Sequence, residues 1–569
     1  MRDVDPTRPW TRLYPDWVPG ELPLPTESMA DVLEATARAA GEAPAIHYFD
    51  ATISYARLDD LASRFATLLA SWGIGHGDRV ALYLQNVPQY IVALYGIWKR
   101  GAIAVPLNPM FKDKELAYHL EDSGARVLVA LESLHAAFAR HAAPGSPIER
   151  VVTTSELDML GSEPPAAVFA ASKKAAPAGT VDLLAALDRT TADPAARARV
   201  APGDLASLGY TSGTTGQPKG AMSSHLNIAY NANVYRVWLQ LDARDVILGV
   251  APLFHITGMV AHIAVAAVAR CPVVLGYRFD AAQTVALMTR WKPTMTVASI
   301  TVYLALMNHP STTREALASL TKALSGGAPV APGIADRFER EFGVYIHNVY
   351  GLTESNSPTH AVPLGARAPV DPVTGALSVG LPIPGCDVKL VDLDDPTKQV
   401  GPGEPGEIAD RGPMIVSGYW NKPDANARAF HDGFFLTGDV ATRTEDGYFF
   451  VVDRKKDMIN VSGYKVWPRE VEDTLYLHPA VREAAVIGVP DDYRGETVKA
   501  FVALKPGSSA APDEIIEFCK SKIAAYKYPR QVEIVDEIPK TVTGKFLRRA
   551  LRDQETEHRQ DGAPRPSRT

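Results

Sequence analysis

The chain reads as an α/β protein: a large N-terminal domain of doubly wound α/β subdomains plus a β-rich subdomain, followed by a small C-terminal α/β domain. Three observations predict this. Short apolar runs alternate with segments of helical period over residues 58–130, and the alternation resumes from Asp245 to about Gly351, the pattern of a parallel sheet wound with helices. Residues 377–450 are instead crowded with turn signals such as Gly401-Pro-Gly403 and Asp446-Gly447, which predict many short strands. After Asp453 the composition tightens into a small unit of its own, so the domain boundary is set at 1–454 and 455–569.

Taken in order, residues 1–30 are rich in Pro and Trp and predict an extended arm. Leu58, Leu61, Phe65, Leu68 and Trp72 fall three to four apart and predict a helix that Gly73 ends. A strand at 80–84, a helix at 88–100 stopped by Gly101, a strand at 103–107, a helix at 116–121 and a strand at 127–130 complete the first series. Residues 157–200 are Ala- and Pro-rich and read as a connecting segment. Strands at 246–250 and 273–275 reopen the alternation. In the last unit, strands are predicted at 485–489, 498–504 and 532–535 and a helix at 514–523, while the final seventeen residues are polar and expected to fray. No internal repeat is visible.

At 569 residues the chain is too long for one core, and size predicts about three or four folding units. Apolar content of 46% with 22% charged residues is that of a soluble globular protein. A net charge of −7 provides no general basic surface, which argues against a nucleic-acid partner. The three cysteines, Cys271, Cys386 and Cys519, are too few and too far apart for a disulfide framework or a Cys-rich metal site, and fit buried thiols in the cytoplasm. The first twenty residues lack the apolar run of a secretory signal. The most apolar stretch, 259–276, is broken by His262, Arg270 and Pro272 and reads as core, not a membrane span. Peripheral membrane contact through a patch, and the choice between monomer and homodimer, stay open.

Four blocks carry chemistry. Residues 210–220 read Tyr-Thr-Ser-Gly-Thr-Thr-Gly-Gln-Pro-Lys-Gly. The hydroxyls of Thr211, Ser212, Thr214 and Thr215, and the backbone bared at Gly213 and Gly216, are groups that bind phosphate oxygens. Hydrogen bonds to a charged group contribute roughly 1.5–3 kcal/mol each, so several together could hold a triphosphate. The stretch is not a Walker A loop, because Lys219 follows Pro218 and precedes Gly220. The second block is Asn348-Val-Tyr-Gly-Leu-Thr-Glu354. In it Tyr350 can stack on adenine, Thr353 can donate to an α-phosphate, and Glu354 can hold Mg²⁺, a cation that prefers carboxylate oxygen. The third joins Leu436-Thr-Gly-Asp439 to Asp453-Arg-Lys-Lys-Asp457, where Asp439 can accept two ribose hydroxyls and Arg454 can add a donor. The fourth is Ile538-Pro-Lys-Thr-Val-Thr-Gly-Lys545, whose lysine can neutralise charge shifting between a carboxylate and a phosphate. Taken singly, each block is also readable as a turn or a solvated loop.

Together, in this order and spacing, they resemble the adenylate-forming superfamily (acyl-CoA synthetases, peptide-synthetase adenylation domains and firefly luciferase) over roughly residues 30–552. The segments 453–459 and 461–470, with Arg8-Pro-Trp and Leu13-Tyr-Pro15, are similar to fatty acyl-CoA ligases. The resemblance implies that Thr211 to Lys219 grip the β- and γ-phosphates of ATP, with Thr211 also beside the metal. It implies that Ser325-Gly-Gly-Ala-Pro329 lines the adenine and acyl pockets through Gly326, Gly327, Ala328 and Pro329. Asn348 and Gly351 join the nucleotide-binding positions, and Lys545 promotes adenylation. Lys456 occupies the hinge about which a mobile small domain swings, bringing Ser462-Gly463-Tyr464 to the CoA channel. A second lysine there, in place of Asp, is a variant that family tolerates.

The implied reaction joins a carboxylic acid to a thiol in two steps, acyl-AMP formation with loss of pyrophosphate and then displacement of AMP by CoA. Catalysis falls to Lys545, Glu354 and Thr211, with ATP, Mg²⁺ and CoA required. Pro252-Leu-Phe-His-Ile-Thr-Gly-Met259 matches the family's acyl-tunnel segment, with His255 at its mouth and Gly258 and Met259 along an apolar wall. Val302, Tyr303 and Ser355 are further lining. No aspartate stands where amino-acid-activating relatives place one. The expected substrate is therefore a medium- or long-chain fatty acid, with an aryl- or dicarboxylate-CoA ligase, or a ligase loading a separate carrier protein, as alternatives.

Overall fold

A computed structural model describes residues 7–143, 146–161, 167–175, 177–211, 217–372, 374–462, 464–491, 493–540 and 546–560. Four sheets organise it. A seven-stranded sheet runs in the order Val181–Asp182, Arg150–Thr154, Val127–Leu131, Arg79–Tyr83, Ile103–Pro106, Leu205–Thr211 and Lys219–Ser224, all parallel except the last pair. The predicted alternation over 58–130 is thus present, with helices Tyr55–Ser71, Pro88–Lys99 and Asp113–Ser123 between the strands. Helix Pro88–Lys99 is buried at every position, which is why it lacks the polar face that a surface helix shows.

The second sheet has nine strands, and its parallel centre (Lys322–Ser325, Met295–Ala298, Ile247–Leu248 and Val273–Leu275) is the alternation that resumes after Asp245. Two strands from the start of the chain complete one edge: Pro44–Tyr48 pairs with Val273–Leu275, and Ala51–Ser54 pairs with Pro44–Tyr48. A single apolar cluster, including Phe65, Tyr90, Trp98, Trp238 and Val273, joins the two sheets into one body.

Between residues 387 and 454 the expected β-rich subdomain appears as five antiparallel strands. The arm fastens it to the α/β body. Arg8 meets Asp387 at 2.6 Å, Tyr14 Oη donates to the Pro382 carbonyl at 2.5 Å, and Trp10 packs buried against Gly447. The arm is therefore not simply extended, since Pro9–Leu13 forms a 3₁₀ turn and helix Met29–Ala40 begins within it.

The small C-terminal sheet is built from Tyr464–Val466, Ile459–Val461, Gly495–Leu504 and Val481–Asp491, with Gln531–Ile534 added on Gly495–Leu504. One expectation is overturned here. Of the tail expected to fray, residues 553–560 instead continue helix Arg548–Gln560, while residues 561–569 lie outside the described residues. Ion pairs hold the helix where apolar contacts are few: Arg552 to Asp457 at 2.7 Å and Glu555 to Lys499 at 2.5 Å. No described helix is long and apolar enough to cross a membrane. All three cysteines are free and buried.

Candidate nucleotide and acyl site

The phosphate block lies on a β-hairpin. Thr211 ends one strand and faces Lys219, the first residue of the next, while Ser212, Gly213, Thr214, Thr215 and Gly216 lie outside the described residues. The hairpin stems are clamped from the side. Tyr210 Oη and Lys422 Nζ both reach Asp122, at 2.7 and 2.5 Å, and Tyr118 Oη donates to the Pro218 carbonyl at 2.7 Å. None of Tyr118, Asp122 and Lys422 carried a signal in the sequence.

The second block is delivered by strand Ile346–Leu352, which feeds the 3₁₀ turn Thr353–Ser355. A Cβ on Gly351 would stand 1.9 Å from the Ser357 carbonyl oxygen, so only glycine lets the chain double back there. A Cβ on Gly209 would come within 2.8 Å of Thr353, which places the turn hard against the phosphate hairpin. Glu354 is 9% exposed and accepts a hydrogen bond from Tyr419 Oη at 2.8 Å. One hard oxygen donor beside a phosphate hairpin fits Mg²⁺, which is held by one or two carboxylates together with substrate phosphates. No group of three or more potential metal ligands exists among the described residues. Asn348 is buried, and its amide donates to the Ser378 carbonyl at 3.0 Å. It buttresses the strand from within. Gly327 and Pro329 are exposed, and Gly326 and Ala328 are half-buried, beyond the end of strand Lys322–Ser325.

The third block closes on the second. Tyr350 Oη donates to Asp439 Oδ2 at 2.8 Å, and Arg454 Nε meets Asp439 Oδ1 at 3.2 Å across the Asp439–Arg454 register pair. The charge on Asp439 holds the Arg454 guanidinium above its ordinary range despite burial. A carboxylate has about four acceptor positions, so Asp439 keeps capacity for a vicinal diol after these two bonds.

Next to this group lies Asp410, fully buried in strand Gly406–Arg411. Neither of its oxygens has a hydrogen bond of normal geometry. Burial pushes its carboxyl up to about 7, and the nearby Thr359 hydroxyl holds it down only in part. The sign follows directly. Between about pH 4 and 7 the folded state keeps a proton that the unfolded chain releases, so stability falls as pH rises through this window and levels off above it. Summed across that window the effect is on the order of a few kcal/mol. Asp410→Asn is expected to remove this decline, gaining over the parent more at pH 8 than at pH 5 in urea midpoints. Parallel pH profiles for the two proteins would mean that the carboxyl is ionised in the fold.

The acyl segment forms the turn into a π-helix, Gly258–Ala264, in which Met259 is 1% exposed. Gly258 is needed at the bend, since a Cβ would sit 2.2 Å from the Pro252 carbonyl oxygen. His255 Nδ1 lies 3.2 Å from Thr257 Oγ1. Val302 and Tyr303 belong to a separate apolar cluster, with Tyr303 Oη donating to the Leu324 carbonyl at 2.8 Å. Ser355 is fully buried, and its hydroxyl donates to the Ser357 carbonyl at 2.7 Å. The hydroxyls of Tyr303 and Ser355 are thus both engaged by backbone carbonyls.

On the C-terminal unit, Lys455–Asp457 is a 3₁₀ turn, and Lys455 pairs with Glu407 at 2.9 Å while Lys456 is exposed. Ser462 holds a positive φ of 53° and donates its N–H to the Arg494 carbonyl at 2.9 Å. Tyr464 is 59% exposed and stacks on Tyr526 with ring centres 4.7 Å apart. Gly463 and Lys545 lie outside the described residues.

Comparison with known proteins agrees with this geometry. A family model described as AMP-binding enzyme matches residues 33–420, and one described as AMP-binding enzyme C-terminal domain matches residues 470–545. A long-chain-fatty-acid–CoA ligase of Bacillus subtilis is 34% identical over 562 residues, covering 97% of this chain and 99% of that protein. A feruloyl-CoA synthase of an Amycolatopsis species is 36% identical over 516 residues, covering 91% and 96%. Among solved structures, an anthranilate CoA ligase in complex with anthranoyl-AMP superposes with a TM-score of 0.82 at 28% identity, over 95% of this chain and 99% of that one. With the match running from the arm's first helix to the end of the small sheet, the chain belongs to the AMP-binding enzyme family.

Proposed function

We propose that the protein is an ATP-dependent acyl-CoA ligase. It activates a medium- or long-chain fatty acid as acyl-AMP with release of pyrophosphate, then passes the acyl group to CoA. The observation that carries the reading is the meeting of three distant segments: Tyr350, Asp439 and Arg454 in one hydrogen-bonded group, with Glu354 four residues on and beside the hairpin that ends at Thr211 and Lys219. Tyr350 offers a face for adenine and Asp439 its acceptors for ribose. Thr211, Thr353 and Lys219 offer donors along the phosphate chain, and Glu354 would hold Mg²⁺, which when bound neutralises charge gathering on the departing pyrophosphate. Holding the carboxylate in line with the α-phosphorus is mostly a matter of position and charge. We place the domain boundary at 454/455, with the small domain turning about Lys456 between the two steps. Lys545 then serves the first step, and Ser462 to Tyr464 serve the second. Buried thiols fit a cytoplasmic setting.

The likeness to a long-chain ligase favours a fatty acid, and the apolar bend at Gly258 and Met259 supports it. An aryl acid is the second reading, favoured by the likeness to a feruloyl-CoA synthase and an anthranilate ligase. Incubation with ATP, Mg²⁺, CoA and a panel of acids, with thioesters identified by mass, separates them. Saturated C6 to C18 acids are expected to yield thioesters. Thioesters from benzoates, cinnamates or dicarboxylates alone would overturn the fatty-acid assignment, and AMP release without any thioester would overturn CoA as acceptor.

A further inference from the structure

We infer that Tyr419 is a positioning residue, which aims the Glu354 carboxylate with its hydroxyl and provides a resting seat for the Lys219 ammonium on its ring. The inference rests on the reading of Glu354 as the Mg²⁺ carboxylate and Lys219 as a phosphate lysine. Tyr419 Oη donates to Glu354 Oε1 at 2.8 Å, and Lys219 Nζ stands 4.2 Å from the centre of the same ring. One side chain thus touches both charged groups proposed for the triphosphate, though they lie 135 residues apart in the chain.

The segment around Tyr419 is bolted in place on all sides. Met222 donates its N–H to the Gly418 carbonyl at 2.9 Å, and Trp420 donates to the Gly220 carbonyl at 2.8 Å, so residues 418–420 run as an extra edge along the second hairpin strand. Asn426 accepts the Tyr419 N–H at 2.6 Å and returns its own amide to the Tyr419 carbonyl at 3.1 Å. Val416 donates its N–H to the Glu354 carbonyl at 2.9 Å, tying the metal carboxylate's own backbone to the same segment. Tyr419 is 5% exposed.

The chemistry follows from this placement. A buried carboxylate with one oxygen fixed by a neutral donor can present the other in a single direction, and a cation of strict octahedral geometry needs that. The ring keeps the lysine beside the hairpin, where no carboxylate among the described residues pairs with it. A cation–π contact contributes about 0.5–2 kcal/mol, less than the charge-assisted bonds that phosphate oxygens provide. Lys219 can therefore leave the ring when a triphosphate arrives, and no salt bridge has to break first.

The test uses the full chain and three proteins: parent, Tyr419→Phe, which removes the hydroxyl and keeps the ring, and Glu354→Gln. Two quantities are read. One is uptake of Mn²⁺ in the presence of ATP, followed by the electron spin resonance of the free ion. The other is the Mg²⁺ concentration giving half-maximal pyrophosphate release. Tyr419→Phe is expected to weaken Mn²⁺ uptake and to raise the Mg²⁺ requirement about tenfold, with the rate recovering as Mg²⁺ is increased. If Glu354→Gln shifts both readings and Tyr419→Phe stays within twofold of the parent, the role given to Tyr419 is overturned. If Glu354→Gln also moves neither, the metal reading of Glu354 itself fails. Should Tyr419→Phe not fold, fluorotyrosine at position 419 replaces it. Its fluorine resonance is expected to shift when Mn²⁺-free MgATP is added, and an unmoved resonance overturns the inference.

Discussion

Replacing Arg548 with alanine is expected to destabilise the C-terminal unit by about 3–5 kcal/mol, the cost of removing one partner from a buried ionic group. The guanidinium faces three carboxylates. It meets Glu472 at 2.7 Å, Asp453 at 3.3 Å and Asp457 at 3.4 Å, all three buried. Burial works against the charge on Arg548, yet Glu472 and Asp453 outweigh it and hold the group above its ordinary range. Burial likewise raises Glu472, with Arg548 pulling the other way. Asp457 is lowered, because Arg552 and Arg548 together overcome its burial. Without the guanidinium, the Glu472 carboxyl, already raised by burial, would rise further. The variant would then lose further stability as pH climbs from about 4, so the deficit is expected to be larger at pH 8 than at pH 5. Urea unfolding followed at both values measures this. Arg549→Ala is the control: its side chain is 66% exposed beside Asp553 at 3.7 Å, and a change within about 0.5 kcal/mol is expected. A loss at Arg548 no larger than the control's would show that the group is solvated in the working protein. Asp453 and Asp457 flank Lys456, so the same guanidinium also fixes both sides of the proposed hinge.

How this network escaped the sequence shows where local pattern stops. The strand Arg79–Tyr83 and the helix Pro88–Lys99 were legible because their apolar runs and Gly101 are local signals. Helix Arg548–Gln560 was not, since apart from Ala550 and the buried Leu551 it is polar, and its ionic partners lie at Asp457, Glu472 and Lys499. The hairpin Pro44–Ser54 joins a sheet next to Val273–Leu275, more than two hundred residues on, and no period near residue 50 announces that. Helix Met29–Ala40 did carry a signal: Ser28 and Asp31 form a capping box. In the site, Tyr350, Asp439 and Arg454 were readable as chemistry, and the structure brings them together. Tyr419, Asp122 and Lys422 were not, because each acts through partners distant in the sequence, as Asp122 does with Lys422 across 300 residues. Asp410 follows Ile408 and Ala409 in its strand, but only the fold reveals that it is buried with neither oxygen hydrogen-bonded among the described residues.

Lys545→Ala is expected to cut acyl-AMP formation by about 10²–10³-fold, the usual cost of removing one charge-stabilising donor from a reacting centre, while leaving thioester formation from supplied acyl-AMP within about twofold. The two half-reactions make opposite demands. The first moves negative charge from a carboxylate onto pyrophosphate and needs a compact cation at the α-phosphate; the second expels AMP before a thiolate, where such a cation is not required. On either side of the lysine's segment, Lys540 and Phe546 form an antiparallel bridge, and Leu547 donates its N–H to the Pro539 carbonyl at 2.8 Å. Lys540 is the natural control, since its ammonium is spent on Glu483 at 2.6 Å. Pyrophosphate exchange reads the first step, and mass detection of acyl-CoA from synthetic acyl-AMP reads the second. Lys540→Ala should keep the ratio of the two rates, whereas Lys545→Ala should change it by the full factor. Equal loss of both half-reactions in Lys545→Ala would make the lysine a structural element of the small domain, and the two-conformation scheme about Lys456 would lose its chemical reason.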